Sequence, residues 1–307
     1  MFMLFFDIVI FLLFLFVTFL IYKTLKLKNY RSALKYIFLI PIIVITHYIP
    51  DIISNKDSPI EVSDYLIVGN EGAYYPWNSV SQSGVAQGFD IDLANELAKR
   101  LKKDAKIVIL PWDSLIPNLL NSQIEVIISA LSITTEREKN IAFSIPYATV
   151  KASFFTKKDN IPNIDNIQTE EDIKKVLKNT VIGVQKGTTP AYFAEKMLKG
   201  IAKIKYYDTQ NQLVLDLNSG RIFAGFSEII PIQESISNSK NLILFGKLFD
   251  NKDSDVFGKG IAIGINQENQ ELLNKINSAL KSMIEDGFIK NLSIKYFKTD
   301  VSISVNK

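Results

Sequence analysis

Residues 65–77 read YLIVGNEGAYYPW, and this stretch decides how the rest of the chain is interpreted. Its first four residues are apolar and mostly β-branched or aromatic, which predicts a strand over residues 65–68. Glu71, Tyr74 and Trp77 follow that strand directly. A carboxylate and aromatic rings at the carboxyl end of a strand suit a ligand with a cationic or amide group and a flat or aliphatic body. A hydrophobic turn at a domain surface is the alternative interpretation of these residues alone.

Downstream of this stretch, short apolar runs alternate with helical patterns. Leu93, Leu97 and Leu101 recur at i, i+4 spacing and predict a helix over residues 90–101. The remaining predicted elements are strands at 106–110, 124–129, 152–156, 181–184, 203–207, 223–227 and 260–265, and helices at 114–120, 190–198 and 270–286. Two such series predict an α/β fold with two lobes, each built on a largely parallel sheet. The cleft between the lobes, at the carboxyl ends of the strands, is the expected ligand site.

Two further stretches carry groups that bind anions. Residues 129–137 read SALSITTER, in which small hydroxyl side chains precede Arg137, whose planar fork matches a carboxylate. The alternative is a capped helix start with Arg137 in a surface ion pair. Residues 187–190 read GTTP. We expect Thr189 to be an N-cap and Pro190 to open the following helix, whose free N–H groups bind anions. Trp112, just after a predicted strand, is a candidate opposite wall to Tyr74.

In order and spacing, these motifs resemble the polar amino-acid-binding proteins of bacterial ABC transporters, which are the bacterial solute-binding proteins of family 3. The likeness is greatest to the lysine/arginine/ornithine and histidine binders, and it extends over residues 63–297. It is carried by the opening stretch and by GFDIDL at 88–93, WDSLIP at 112–117, IISALSIT at 127–134 with Arg137, and FSIPY at 143–147.

The resemblance implies a two-lobe periplasmic-binding-protein fold of type II that closes on a free amino acid. It implies lobe 1 over residues 63–148 plus 257–297 and lobe 2 over 153–247. The chain then crosses between the lobes at 149–152 and 248–256, which form the hinge, and ends in a tail at 298–307.

The resemblance also implies a role for each site residue. Tyr74 and Trp112 sandwich the ligand side chain, and Glu71 faces its distal group. The α-carboxylate is held by Arg137, with help from the hydroxyl groups of Ser132, Thr188 and Thr189. Ser129 and Ala130 line the pocket; the basic-residue binders carry Ser at the position of Ala130. Glu228 stands where the family has an Asp that receives the α-amino group.

The apolar excess of the chain lies at its N-terminus. Residues 1–22 contain only Asp7 and Thr18 outside the apolar set. This apolar run is as long as a membrane-spanning helix. A basic stretch without acids, 23–35, and a second apolar stretch, 36–53, come next. The positive-inside rule predicts a two-helix anchor over 1–53 with the basic loop in the cytoplasm and everything after linker 54–62 in the periplasm. The alternatives are a second segment that acts as a cleaved signal, and a buried soluble helix.

Composition excludes several function classes. The 307 residues contain no Cys and a single His, which excludes disulfides, a lipidated Cys, Cys zinc sites and His-based triads. We therefore expect no metal and no cofactor. Mean hydropathy is +0.13 and the formal net charge is +3, all of it from residues 1–57, so no nucleic-acid partner is indicated.

The leading interpretation is the substrate-binding component of an amino-acid ABC transporter. It would be a monomeric, non-enzymatic receptor that delivers a polar L-amino acid to permease subunits in the inner membrane. Glu71 favours a cationic ligand of the lysine, arginine, ornithine or histidine class, and glutamine stays open because a carboxylate also accepts from an amide. The alternatives are a dehydratase on the same fold, acting on prephenate or arogenate, and an amino-acid-sensing domain.

Overall fold

The computed structural model describes residues 65–149, 151–161, 163–239 and 241–303, together with Tyr22, Lys23 and Lys26. The chain divides into two units, Met1–Val62 and Ser63–Lys307. The predicted membrane anchor at 1–53 and the linker at 54–62 lie outside the described residues, apart from those three positions. No helix in the described ranges is long and apolar enough to cross a bilayer.

Strands and helices alternate along the second unit. The strands in the described part are β1 (Tyr65–Asn70), β2 (Ala73–Tyr74), β3 (Asn78–Val80), β4 (Ala86–Gln87), β5 (Asp104–Ile109), β6 (Val126–Ile127), β7 (Ala142–Phe143), β8 (Ala152–Lys157), β9 (Val181–Gln185), β10 (Lys203–Tyr207), β11 (Ala224–Glu228), β12 (Leu242–Phe249) and β13 (Gly264–Ile265). The helices there are α1 (Phe89–Arg100), α2 (Leu115–Leu120), α3 (Thr135–Glu138), α4 (Glu170–Leu177), α5 (Thr189–Met197), α6 (Gln210–Asn218), α7 (Ile229–Ser237), α8 (Gln270–Glu285) and α9 (Phe288–Phe297).

Two five-stranded sheets form the cores of two lobes. The sheet of lobe 1 has the order β5-β1-β6-β13-β7, and the sheet of lobe 2 has the order β10-β9-β11-β8-β12. In each sheet the first three strands in this order run parallel. Each of the last two strands is antiparallel to the strand listed before it. The parallel strands therefore end at one edge of their sheet, and the loops that follow them lie together.

Lobe 1 is held by an aromatic stack and by helices that are apolar on one face. Trp77 packs on Phe297 at 4.4 Å and on Phe89 at 5.0 Å between ring centroids. Helix α1 buries Leu93 and Leu97, with acidic residues in its first turn and basic residues in its last, as the helix dipole favours. The C-terminal helices α8 and α9 pack into the same core. The end of the chain therefore completes the lobe that begins at β1.

Lobe 2 is built from phenylalanines and capped helices. Phe154 lies 4.3 Å from Phe226 between ring centroids, and Phe193 packs against Phe226 at 5.5 Å. Helices α4 and α6 each begin with a capping box, in which a Thr side chain and a residue three positions later satisfy each other's backbone N–H groups. These caps fix where each helix begins relative to the sheet.

The predicted strand–helix series is present, and the structure adds elements that the sequence pattern did not indicate. These are the hairpin strands β2–β4, the strands β7 and β12 and the helices α4, α6, α7 and α9. One boundary prediction is wrong. Thr188, not Thr189, is the N-cap of α5, because its extended backbone lets its Oγ1 accept from the Ala191 N–H at 3.3 Å.

Candidate functional site

One narrow cleft lies where the loops after the parallel strands of both lobes meet. Its lining includes every site residue predicted from the sequence. One residue that was not predicted, Gln185, completes it. The lining consists of Glu71, Tyr74, Trp112, Ser129, Ala130, Ser132, Arg137, Gln185, Thr188, Thr189 and Glu228.

The two aromatic side chains each reach across to lobe 2. Tyr74 is buried, and its hydroxyl lies 3.3 Å from the Ser227 Oγ. Trp112 is partly buried and donates its indole N–H to the Gly187 carbonyl at 3.2 Å. Gly187 has a left-handed backbone with φ of 71°, and a Cβ there would lie 3.4 Å from the Trp112 Nε1. Glycine thus lets the lobe 2 loop approach the Trp112 ring closely.

Arg137 spans the cleft between a floor carbonyl and the opposite lobe. Its guanidinium donates to the Ser132 carbonyl at 2.8 Å and to the Gly187 carbonyl at 3.2 Å, and its Cζ lies 5.3 Å from the centre of the Trp112 ring. The Arg137 N–H is itself capped by the Thr134 Oγ1, which positions the short helix α3. Burial lowers the pKa of Arg137 to about 10, so the group stays cationic at neutral pH and matches an anion.

The floor of the cleft is a tight turn that is tied to the loop after β1. Ser129 and Ser132 are buried, and Ala130 has the left-handed φ of 47° that non-glycine residues rarely adopt. The Ser129 Oγ accepts from the Glu71 N–H at 3.0 Å. Asn70 strengthens the tie, because its Nδ2 donates to the Ile128 carbonyl at 2.6 Å. The two loops of lobe 1 that line the cleft are thereby held in a fixed position relative to each other.

Glu71 forms a hydrogen bond with the opposite lobe. Its Oε1 accepts from the Gln185 Nε2 at 2.6 Å, and the same amide nitrogen donates to the Asp208 carbonyl at 3.1 Å. Burial raises the pKa of Glu71 to about 7, and the bond from Gln185 opposes that rise. Gln185 was missed because the apolar strand was predicted to end at Val184. The sequence did carry a signal for Gln185, because it is a polar residue at the end of an apolar parallel strand.

Thr188 and Thr189 place the amino end of α5 at the cleft. Thr188 is fixed by its hydroxyl, which donates to the Gln185 carbonyl at 2.7 Å while it caps the helix. Thr189 is the first residue of α5 and is buried. The free N–H groups of a helix start favour a negatively charged group, so this end of the cleft adds to the anion attraction of Arg137.

Glu228 is the second carboxyl of the cleft and comes from the end of β11. It is 5% exposed, and its Oε2 accepts no hydrogen bond from the described residues. Burial raises the pKa of Glu228 to about 8, whereas the positive charge of Arg137 and a hydrogen bond from Tyr74 oppose the rise. A buried carboxyl with one oxygen left without a hydrogen bond is unfavourable in isolation and favours a cationic partner. In the described part of the chain no group of three or more potential ligands is arranged to hold a metal ion.

Comparison with known proteins identifies the family. The profile of the bacterial extracellular solute-binding proteins, family 3, matches residues 66–299. The chain is 31% identical to the octopine-binding periplasmic protein of Rhizobium meliloti, over 77% of this chain and 91% of that protein. It is 34% identical to the histidine-binding periplasmic protein of Escherichia coli K12, over 76% and 88%. An ancestral arginine-binding protein bound to arginine superposes with a TM-score of 0.69 at 31% identity, over 77% of this chain and 100% of that structure. The chain therefore belongs to the bacterial extracellular solute-binding proteins of family 3.

Proposed function

We propose that this protein is the substrate-binding component of an amino-acid ABC transporter and that it binds a free L-amino acid with a cationic side chain. One observation carries the proposal: the charges of the cleft complement those of such a ligand. Arg137 matches the α-carboxylate, Glu228 the α-ammonium group and Glu71 the distal cation. A ligand with one carboxylate and two cationic groups leaves none of these charges unpaired.

The aromatic walls fit the same ligand. Tyr74 and Trp112 offer flat faces to an aliphatic stem or a planar guanidinium, which stacks on aromatic rings. Relatives named for histidine and arginine support this class. Arginine, lysine, ornithine and histidine are the candidates, and glutamine is retained because Glu71 accepts from an amide as readily as from a cation.

The binding proposal is tested by a thermal-shift screen of the purified protein with the twenty amino acids and ornithine, followed by calorimetry. Ligands that bind only the folded state raise its melting temperature. Arginine or another cationic amino acid should do so, whereas agmatine, which lacks the α-carboxylate, and D-arginine should not. Stabilisation by agmatine as strong as by arginine, or no stabilisation by any amino acid, would overturn the proposal.

Closure and location complete the proposal. The chain would cross between the lobes at 149–152 and 248–256, and ligand contacts from both lobes would favour the closed arrangement. The loaded receptor would deliver its ligand to permease subunits in the inner membrane. It would face the periplasm, held by residues 1–53 or released if that segment is cleaved. Protease accessibility in intact spheroplasts, with and without detergent, separates the two forms and tests the orientation.

An enzyme on this fold is the competing function, and it makes a different demand on the same groups. A dehydratase needs a general acid or base, and Glu71 and Glu228, with their raised pKa values, are the candidates. We propose that both carboxyls act as binding charges, because a bound amino acid supplies a partner of opposite charge to Arg137 and to each of the two carboxyls. Product formation from prephenate or arogenate by the purified protein would decide for the enzyme.

A further inference from the structure

Behind the pocket wall of lobe 1 lies a buried polar pair, Asn78 and Asp90. Neither side chain lines the cleft, and both are fully buried. The Asn78 Nδ2 donates to the Asp90 Oδ2 at 2.8 Å. The proposed binding of a ligand uses neither residue, yet a buried carboxyl is unfavourable unless its surroundings compensate. The position of the pair between two pocket loops suggests what it does.

Asn78 holds the loop that presents Tyr74. Its Oδ1 accepts from the Ala73 N–H at 3.2 Å and from the Tyr74 N–H at 3.3 Å. Because the amide oxygen is occupied by these two donors, the amide nitrogen necessarily faces Asp90. Both polar atoms of the Asn78 side chain are thus held by hydrogen bonds, which fixes its rotamer. The same bonds fix the backbone from which the Tyr74 ring projects.

Asp90 is anchored where α1 begins. Its N–H donates to the Trp77 carbonyl at 2.8 Å. Gly88, just before the helix, has a φ of 125°, and a Cβ there would come within 2.5 Å of the Trp77 carbonyl oxygen. A glycine is required at this close approach. It allows the start of α1 to lie directly against Trp77 and Asn78, so the carboxyl has little freedom to move.

On its other side, Asp90 faces the floor of the cleft. Ala130 and Tyr147 lie near its carboxyl and oppose the rise that burial causes in its pKa, although the Asp90 Oδ1 and the Tyr147 hydroxyl form no hydrogen bond within the described residues. Ala130 packs in the same buried cluster as Phe89 and Tyr147. Its left-handed backbone is strained for alanine, and such a conformation persists only where the surroundings hold it.

We propose that Asp90 and Asn78 are positioning residues for ligand binding, a buried carboxyl–amide clamp that fixes the Tyr74 wall relative to the Ala130 floor. The inference rests on the proposed function, since it concerns the same cleft. The clamp acts through side-chain hydrogen bonds: the Tyr74 N–H donates to Asn78, and Asn78 donates to Asp90, whose carboxyl lies towards Ala130. Pre-organised pocket loops bind more tightly because less ordering accompanies binding.

The clamp is tested by exchanging its two members. In D90N the new amide can accept from Asn78 only if its own NH2 group turns towards the floor of the cleft, where it has no acceptor, and in N78D two carboxyls face each other, so each single variant leaves a mispaired group. The double variant D90N/N78D restores one donor and one acceptor between the same positions and keeps the net charge of the protein. We expect each single variant to bind arginine about tenfold or more weakly, as for a buried group left unpaired, and the double variant to regain most of the affinity.

The full-length protein is used, with calorimetry for affinity and the melting temperature without ligand as a separate measurement. N95D, on the exposed face of α1, makes the same chemical change as N78D away from the cleft and should bind as the wild type does. A130G in the D90N background relieves the left-handed strain and should recover part of the lost affinity. This rescue also tests the clamp if N78D does not fold.

The outcomes separate cleanly. Single variants that melt earlier but bind as tightly as the wild type would overturn the clamp, since the pair would then only stabilise the fold. A double variant as weak as the weaker single variant would overturn it as well. A wild-type protein that binds no amino acid would instead overturn the proposed function, and that result appears before any variant is made.

Discussion

The two lobes share one strand order but contribute to the cleft in different ways. Lobe 1 provides seven of the lining residues, from loops after three parallel strands, and lobe 2 provides four. The second strands in the two sheet orders, β1 and β9, end opposite each other, where Glu71 meets Gln185 at 2.6 Å. Equivalent strand ends therefore carry a carboxylate in one lobe and an amide in the other.

The two pocket loops of lobe 1 are tied to each other, whereas in lobe 2 the loop after β9 is tied through Gln185 to the loop after β10. Asn70 and Ser129 join the two pocket loops of lobe 1 through hydrogen bonds of 2.6 and 3.0 Å. Lobe 2 offers the start of α5, which Thr188 caps, and the end of β11, which pairs with β8. We interpret lobe 1 as the pre-organised half of the site and lobe 2 as the half that completes it with one charge and one amide.

The largest effect is expected from the single cation of the cleft. Arg137→Ala removes the partner of the α-carboxylate in a partly buried site, where truncating one member of a charge pair costs about 2–5 kcal/mol. Affinity for every amino acid should fall by about a hundredfold or more. Calorimetry measures it, with Arg100→Ala as control, because Arg100 pairs with Glu96 and Asp286 away from the cleft. Wild-type affinity in Arg137→Ala would contradict the assignment.

The matching change in lobe 2 is Glu228→Gln, which keeps the size of the side chain and removes its charge. The α-ammonium group then loses a charged hydrogen bond worth about 1.5–3 kcal/mol, so affinity should fall about tenfold to a hundredfold. The loss should be the same for cationic and neutral ligands, because all of them carry this group. Glu228→Asp keeps the charge and should retain most of the affinity. A loss confined to cationic ligands would place Glu228 at the distal end instead.

Glu71→Gln separates the distal group from the head group. A cationic ligand loses its charge partner, so its affinity should fall about tenfold, while a neutral ligand such as glutamine should be much less affected. Titration calorimetry with arginine and with its neutral analogue citrulline provides the matched pair. Equal losses for the two ligands would show that Glu71 does not face the side chain.

Much of the cleft was predicted because its residues occur in compact motifs after strands and because those motifs resemble the family. All ten predicted site residues line one cleft. The reason is that parallel strands end at one edge of a sheet, so residues just beyond the strand ends meet in space. The sequence does not show which residue of the other lobe each of these residues contacts. The contact between Glu71 and Gln185, 114 positions apart, therefore required the structure.

The elements that were missed show the limits of periodicity. Helix α4 carried a usable signal in its capping box at Thr169 and Asp172. Helix α9 begins only three residues after α8 ends, and the predicted helix stopped at residue 286, so residues 288–297 were assigned no element. The hairpin strands β2–β4 are two or three residues long, too short for alternation to register. The one-residue error at Thr188 reflects two adjacent threonines that are equally good caps.

Binding should depend on pH through the buried carboxyls, of which Glu228 in lobe 2 ionises at the highest pH. Because the pKa of Glu228 is raised to about 8, the group is largely protonated at pH 6 and ionises as the pH rises. An α-ammonium group needs the ionised form, so the affinity for arginine should rise by about tenfold between pH 6 and pH 8.5. Glu71 and Asp90, with pKa values of about 7, titrate in the same interval.

The stability of the free protein should change in the opposite direction. Between about pH 4.5 and pH 8 the folded state binds more protons at these carboxyls than the unfolded state does, so the free energy of unfolding falls as the pH rises. Calorimetry and thermal melts at matched pH values measure both trends. Glu228→Gln is the control, and its affinity should depend less on pH. A wild-type affinity that is flat from pH 6 to pH 8.5 would contradict an α-ammonium contact to Glu228.

The smallest effect tests how far lobe 2 tunes the ligand preference of lobe 1. Gln185 donates to Glu71 and to the Asp208 carbonyl, and its bond opposes the rise in the pKa of Glu71. Gln185→Met keeps the length of the side chain but removes both donors, so Glu71 is less often ionised and less firmly held. Arginine affinity should fall about three- to tenfold, the range of one hydrogen bond. Citrulline affinity should fall less, and Gln123→Met, on an exposed turn, should change neither. Equal losses for both ligands would mean that Gln185 acts on the common head group, and the distal end would then be determined by lobe 1 alone.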